Sequence, residues 1–271
     1  MIKKLNIKGF TMVEMLIAAG ISMIVIGSAL SVYLIQHKHL LVQDQISDMQ
    51  QNIRASMQEL ATKIRMAGYN VPTGISALRA SNTNPDTIEI IYDSSLLDGV
   101  QIEHAMPEQS AELRCDGHDL SSLHDGDWVV IYDPNKQAGE FFEISHVQYD
   151  ASSIQHNTMP LSKSYPKGSK IIKMNKIKYY IDNTTDPNHP RLMMQHVGRL
   201  PLIYADNISD LQFQYLLSSG AIVDVPPLAR MVREVMINIT ARTDKPDDEF
   251  INQYRTRSLQ TSVKVRNLGI N

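Results

Sequence analysis

Lys8-Gly9-Phe10-Thr11-Met12-Val13-Glu14-Met15-Leu16-Ile17 opens a run that stays uncharged, after Glu14, from Met15 to Ile35. Lys3, Lys4 and Lys8 precede it, Gly9 is a small residue directly ahead of it, and Glu14 is a single carboxylate at its head. About 20 apolar residues cross a bilayer core as a helix, and Met15–Ile35 supplies that length. An ionised group in hydrocarbon is costly and marks function unless it has a partner. Glu14 is therefore the residue that needs explaining. The lysines on one side predict a cytoplasmic amino terminus and a head on the far side of the membrane. Gly20 and Gly27, with Ala18, Ala19, Ser22, Ser28 and Ala29, allow close helix contacts, although they also fit ordinary membrane-helix composition.

Two plainer readings compete. One is a signal anchor with Glu14 tolerated near the interface. The other is a secretory signal peptide, with Met15–Ile26 as its apolar region and Gly27-Ser28-Ala29 as a small-residue cut site. The second leaves Glu14 unexplained, and it leaves unexplained the helical pattern that continues past Ala29.

That pattern runs on as Val42, Ile46, Met49, Ile53, Met57, Leu60, Ile64 and Ala67, one apolar stripe at spacings of three and four. Gln43, Asp44, Gln45, Asp48, Gln50, Gln51, Asn52, Arg54 and Gln58 suit a solvated face. Gly68 and Pro72 supply the stop. A helix from Phe10 to Ala67 is about 87 Å long at 1.5 Å per residue. Its second half must lay the stripe on something, most simply the chain's own head. A coiled coil is the competing explanation, weakened by the lack of sustained Leu.

Beyond Pro72 the pattern turns to short alternating runs. Candidate strands are Thr87–Tyr92, Asp127–Tyr132, Glu140–Val147, Lys170–Met174, Lys176–Ile181, Arg191–Gln195, Asp210–Leu217, Ala221–Val225, Val232–Ala241 and Ser258–Val265. Turn clusters such as Asn82–Asp86, Asp133-Pro134-Asn135 and Asp182–Pro187 separate them. A short helical turn is expected near Leu228–Met231. In Leu211-Gln212-Phe213-Gln214-Tyr215 the apolar residues share one face, so such a strand can cover the helix stripe. The fold class is α+β: a long amino-terminal helix on a β-rich head.

The Lys8–Ile17 stretch resembles the processing signal of type IV prepilins and type II secretion pseudopilins. Ile64–Tyr69, Ile177–Ile181, Ile208–Tyr215, Val232–Ile237 and Val263–Leu268 extend the resemblance to PilW-like minor pilins and, more distantly, J-type minor pseudopilins. His124–Ile131 resembles a strand-rich insertion of PilW-like chains. The resemblance implies a type IV pilin-like fold and a leader over 1–9, cut between Gly9 and Phe10 by a prepilin peptidase that then N-methylates Phe10. It implies a transmembrane half over 10–36, an amphipathic half over 37–68, and a head over 69–271 with a β insertion at about 116–175. Glu14 then falls at the family's acidic position, pairing in assembly with the free amine of a neighbouring subunit. The implied partners are the peptidase, other minor pilins or pseudopilins, an inner-membrane assembly platform and membrane lipid. The implied place is a single-pass inner-membrane protein with a periplasmic head, incorporated into a pilus or pseudopilus. A minor pilin that primes or caps type IV pilus assembly is the leading expectation. A type II secretion pseudopilus tip, and a tip adhesin or DNA-uptake subunit, are the alternatives.

Composition and motifs narrow the chemistry. The chain carries a formal charge of −3, and loss of a leader with three lysines takes it to −6, so general nucleic-acid binding is not expected. Cys115 is the sole cysteine, expected to be buried, so the fold relies on its core rather than on a disulfide. Cys115 and His118, with His124, lack the paired ligand spacing of structural zinc sites. Asp182-Asn183-Asp186 and Asp244-Asp247-Asp248-Glu249 read as turns rather than calcium loops, lacking EF-hand spacing. Trp128 reads as a core anchor of the second β unit in preference to a carbohydrate-stacking platform. No nucleophile elbow, zinc-protease helix or phosphate-binding glycine loop occurs, so no catalytic, cofactor or metal residue is assigned and the chain is not expected to be an enzyme.

Overall fold

The computed structural model describes residues 9–93, 99–156, 160–247, 250 and 253–269. Residues 1–8 of the expected leader, and Asp248 and Glu249 of one acidic stretch, lie outside the described residues.

Helix α1 spans Met12–Met66, 55 residues, or about 82 Å. It starts two residues later than the periodicity suggests because Thr11 caps it in an extended conformation. Just past its end stands Gly68, whose φ of +81° suits glycine and whose amide donates to Ile91 O at 3.0 Å. A Cβ there would meet Leu268 Cδ2 at 2.8 Å and Asn267 O at 2.9 Å, so the close approach of the carboxyl-terminal segment also requires glycine.

The strands follow as β1 (Leu78–Ser81), β2 (Thr87–Asp93), β3 (Val100–Gln101), β4 (Leu113–Arg114), β5 (Trp128–Asp133), β6 (Ala138–Glu143), β7 (His146–Gln148) and β8 (Ser153–Gln155). Then come β9 (Lys170–Ile172), β10 (Met174–Asp182), β11 (Arg191–His196), β12 (Leu202–Asp206), β13 (Ile208–Leu217), β14 (Ile222–Val223), β15 (Val232–Arg242) and β16 (Thr256–Lys264). A 3-10 turn, Ala229–Met231, precedes β15. Pairing gives four antiparallel sheets, ordered β1-β2-β10-β11-β12, β14-β13-β15-β16, β3-β9-β5-β6 and β4-β8-β7. This is an α+β molecule, a long helix packed on a strand-rich head.

The carboxyl half of α1 is the centre of the main core. Met49, Ile53, Met57, Leu60, Ala61 and Ile64 are buried with Ile90 and Ile177 from the first sheet and Leu211, Phe213, Val235 and Ile237 from the second. The stripe thus finds cover on the head itself, which removes the need for a coiled-coil partner. Packing against the core begins at Ile46 and Met49, while Val42 is half-buried and lies outside the core cluster. From Phe10 to Leu41 the side chains are exposed, with Ile24 at 71% and Ile26 at 66%.

A second core joins Ile102, Leu113, Cys115, Val129, Ile131, Ile144, Val147, Ile154 and Ile171. It starts upstream of 116, since the pairing of Val100 with Ile171 closes its sheet. Strand β5 serves both cores: Val129 and Ile131 face the second, Val130 and Tyr132 the first. That division explains its continuous apolar run.

Several local expectations change. The run Glu140–Val147 is not one strand; it bends at Ile144, whose amide and carbonyl are taken by Asp127 O at 2.9 Å and Gly126 N at 2.8 Å, and passes from β6 to β7 in another sheet. The break between β9 and β10 falls at Lys173, not Asn175. Trp128 is half-buried and does not anchor the second core. Its indole sits against Gly198, where any Cβ would collide with it, and so ties β5 to the turn between β11 and β12.

A variant lacking residues 1–35 is expected to be soluble, folded and mostly β by circular dichroism. In that variant Ile64→Ala should cost about 2–5 kcal/mol in urea unfolding, as for a fully buried large-to-small change. A helix-dominated spectrum, or a loss under ~1 kcal/mol, would contradict the packing described.

Candidate assembly site

The amino-terminal site is built on the first turn of α1. Thr11 N and Thr11 Oγ1 both donate to Glu14 Oε2, at 2.8 and 2.9 Å, and Glu14 N donates to Thr11 Oγ1 at 3.2 Å. This reciprocal capping box satisfies donors that a helix start leaves open. Thr11, the N-cap, is a site residue beyond the expected Gly9, Phe10 and Glu14. The pattern Thr-x-x-Glu ahead of an apolar run was a readable signal for it. Gly9 and Phe10 are exposed, Phe10 at 85%. A Cβ on Gly20 or Gly27 would meet nothing within 4 Å, and the Ser28 and Ser31 hydroxyls donate to Ile24 O and Gly27 O. The bare half of α1 therefore presents apolar side chains and glycine gaps, with these serine hydroxyls satisfied internally. Such a surface suits lipid or another helix.

Farther along, α1 is locked to the head by polar contacts. Tyr179 Oη donates to Glu59 Oε1 at 2.7 Å, and Lys63 Nζ donates to Tyr92 Oη at 3.2 Å. Burial pushes the Tyr179 phenol far above its ordinary range, and the Glu59 carboxylate adds to it. His196 nearby is held below its ordinary value, first by burial and then by the Lys63 charge. Asn52 Nδ2 donates to Asp206 O at 3.2 Å and Lys245 N to Gln45 Oε1 at 3.1 Å. Gln45 and Asn52 were expected on the solvated face. Their partners, Lys245 and Asp206, lie 200 and 154 residues away, and no local pattern announces such contacts.

The other candidate residues do not converge. Cys115 is fully buried in the second core, and burial pushes its thiol up to about 12, so it is inert. His118 bonds Glu103 at 3.3 Å while His124 lies 3.7 Å from Asp127. Among the described residues no group of three or more His, Cys, Asp or Glu is arranged to hold a metal. Asp182 accepts from Thr184 and Thr185 in a turn, and those bonds hold its carboxyl well below the usual range. Asp186 and Asp244 both approach His189, at 2.8 and 3.5 Å, and Asp247 pairs with Arg255 at 2.6 Å.

Residues 4–30 match a family described as the prokaryotic N-terminal methylation motif. The match covers Lys4, Lys8, Gly9, Phe10, the capping box and the exposed start of α1. It marks the amino terminus as one that carries a prepilin-type methylation motif. No curated protein matches the chain. Among solved structures, a type IV-like pilin from Thermus thermophilus is similar at 10% identity over 84% of this chain and 98% of that one, with a TM-score of 0.37.

Thr11→Val is expected to speed hydrogen exchange of the Met12–Glu14 amides in micelles by about fivefold, the scale of a lost cap, with the head unaffected. Unchanged exchange would show that the box does not hold in a membrane mimic. Tyr179→Phe should lower stability by about 1.5–3 kcal/mol in urea unfolding, because the hydroxyl bonds a charged acceptor.

Proposed function

We propose that the chain is a minor pilin, a structural subunit of the PilW-like kind that helps prime or cap a type IV pilus together with other minor pilins. The observation that carries this reading is the coincidence of the methylation motif with an apolar helix half that its own head leaves uncovered. Before assembly, lipid covers that half. In a filament, neighbouring helices cover it, and the glycines at 20 and 27 let them approach closely. The head sits in the periplasm and faces outward.

In this reading the leader is residues 1–9, the cut lies between Gly9 and Phe10, and Phe10 becomes N-methylated. The transmembrane half covers 10–36 and the amphipathic half 37–68. Glu14 has two duties. It caps its own helix through Thr11, and during assembly it meets the amine of a neighbouring subunit's first residue. Breaking such a buried pair leaves the other charge uncompensated, so the pair is a strong requirement once formed. The role is structural, with no catalytic residues assigned.

Intact-mass analysis of protein made with a prepilin peptidase should show a chain beginning at N-methyl-Phe10, and a bulky residue at Gly9 should leave the leader attached. A mature start near Ser28, Leu30 or Ser31 would mean an ordinary signal peptide. The capping box sharpens the test of Glu14. Glu14→Gln keeps a capping acceptor and loses the charge, whereas Glu14→Ala loses both. Both variants should insert, be cleaved and keep a folded head, and both should lose association with other minor pilins. Recovery of assembly in Glu14→Gln alone would assign Glu14 to capping and not to charge pairing. Wild-type assembly in both would remove Glu14 from the mechanism.

A further inference from the structure

The outer face of the β14-β13-β15-β16 sheet turns away from α1 and carries a groove that assembly through the amino terminus does not use. Gln212, Asn238 and Gln260 are direct cross-strand neighbours on β13, β15 and β16. With Asn82 from the turn after β1 and Asp224 beyond β14 they line a space of about 320 Å³ that also includes Asp86. Asp86 is 3% exposed. Part of its role is structural: its N–H bonds Leu211 O at 2.8 Å and its Oδ2 accepts from Phe213 N at 2.8 Å, which fixes the turn between β1 and β2 onto β13. Its Oδ1 is buried without a hydrogen-bond partner, in a residue that borders the groove. A buried acceptor without a partner in its own chain is costly, and a donor from outside the chain relieves that cost.

The groove is short of donors and of positive charge. No Lys or Arg lines it among the described residues. The amide nitrogens of Gln212 and Gln214 are already spent on Asp210 and Asp224, at 2.9 and 3.3 Å. Burial pushes the Asp86 carboxyl above the usual carboxylate range against the Phe213 and Thr83 amides, and the charges of Asp210 and Asp224 push it the same way. A cationic donor entering the groove relieves the burial cost, the like-charge repulsion and the orphaned oxygen together. The side-chain amides of Asn82, Asn238 and Gln260 beside it offer both donors and acceptors, which match a peptide backbone.

We propose that this groove binds a basic side chain, arginine or lysine, presented by a partner polypeptide, with its guanidinium or ammonium group on Asp86 and Asp224 and the adjoining backbone on the row of amides. This site stands apart from the amino-terminal assembly reading and survives its failure.

The test uses the full chain in detergent micelles, titrated by calorimetry with acetyl-Gly-Arg-Gly-amide, acetyl-Gly-Gln-Gly-amide and spermidine. The Arg peptide should saturate and bind about tenfold more tightly than the Gln peptide, as expected for hydrogen bonds to charged groups. Asp86→Asn retains an acceptor for Phe213 N–H and removes the charge, and Asp224→Asn lies at the groove's rim, so one of them reports on binding even if the other disturbs folding. Each should weaken Arg-peptide binding by about fivefold or more at constant salt. Absence of saturation, equal binding of the Gln peptide, or unchanged affinity in folded variants would overturn the proposal. Tighter binding of spermidine than of the Arg peptide would reassign the site to free polyamines and overturn the polypeptide partner.

Discussion

The structure depends on one helix that meets two different surroundings along its length. From Met49 to Ile64 its apolar stripe is buried between two sheets, with Leu60 and Ile64 fully enclosed. From Phe10 to Leu41 the same helix is as apolar and has no cover from its own chain. Burying apolar surface stabilises by roughly 25 cal/mol per Å², so the buried half anchors the head firmly, and the bare half demands a second apolar environment. The head's sheets are arranged around this need. Strands β13 and β15 turn Leu211, Phe213, Val235 and Ile237 toward the helix and leave Gln212, Gln214 and Asn238 outside.

Much of this was legible because it is periodic. The stripe over Val42–Ala67 and the alternation in Leu211–Tyr215 and Val235–Ile239 come straight from helical and strand geometry. The head's short elements were not legible for the same reason. Two-residue strands such as Val100–Gln101 and Leu113–Arg114 have no period to read, and they exist only through pairing with Lys170–Ile171 and Ser153–Ile154. Strand β12 was missed because Leu202-Ile203-Tyr204 does not alternate and follows Pro201. It forms an edge beside the helix with Leu202 and Ile203 exposed. Trp128 shows the limit of composition: a large aromatic suggests a core, yet its packing partner is a glycine in a turn 70 residues away. At the assembly site the reverse holds. Gly9, Phe10 and Glu14 are singled out there by their order in the chain, as expected processing and pairing positions, and the Thr11–Glu14 spacing announces the capping box that the structure holds.

The two ends of the molecule divide the work. The amino-terminal turn is small and exposed, and Glu14 there has part of its hydrogen bonding supplied by Thr11. The helix–head seam, with Tyr179 on Glu59 and Lys63 on Tyr92, fixes the carboxyl half of α1 on the head. The outer sheet face takes no part in this seam and is free to present its polar row to a partner.

The account's central claim is that one half of α1 belongs to the head and the other half belongs to whatever surrounds it. Native-state hydrogen exchange on the full chain, compared between lipid nanodiscs and dilute detergent, tests it most directly. Amides over 49–64 should exchange as slowly as those of β13 and β15 in both settings, at the rate set by global unfolding. Amides over 12–36 should be protected in lipid and lose protection first as lipid is withdrawn, with the head unchanged. If 49–64 exchanged faster than the sheets, or the head lost protection together with 12–36, the helix would not be divided in this way and the account would fail.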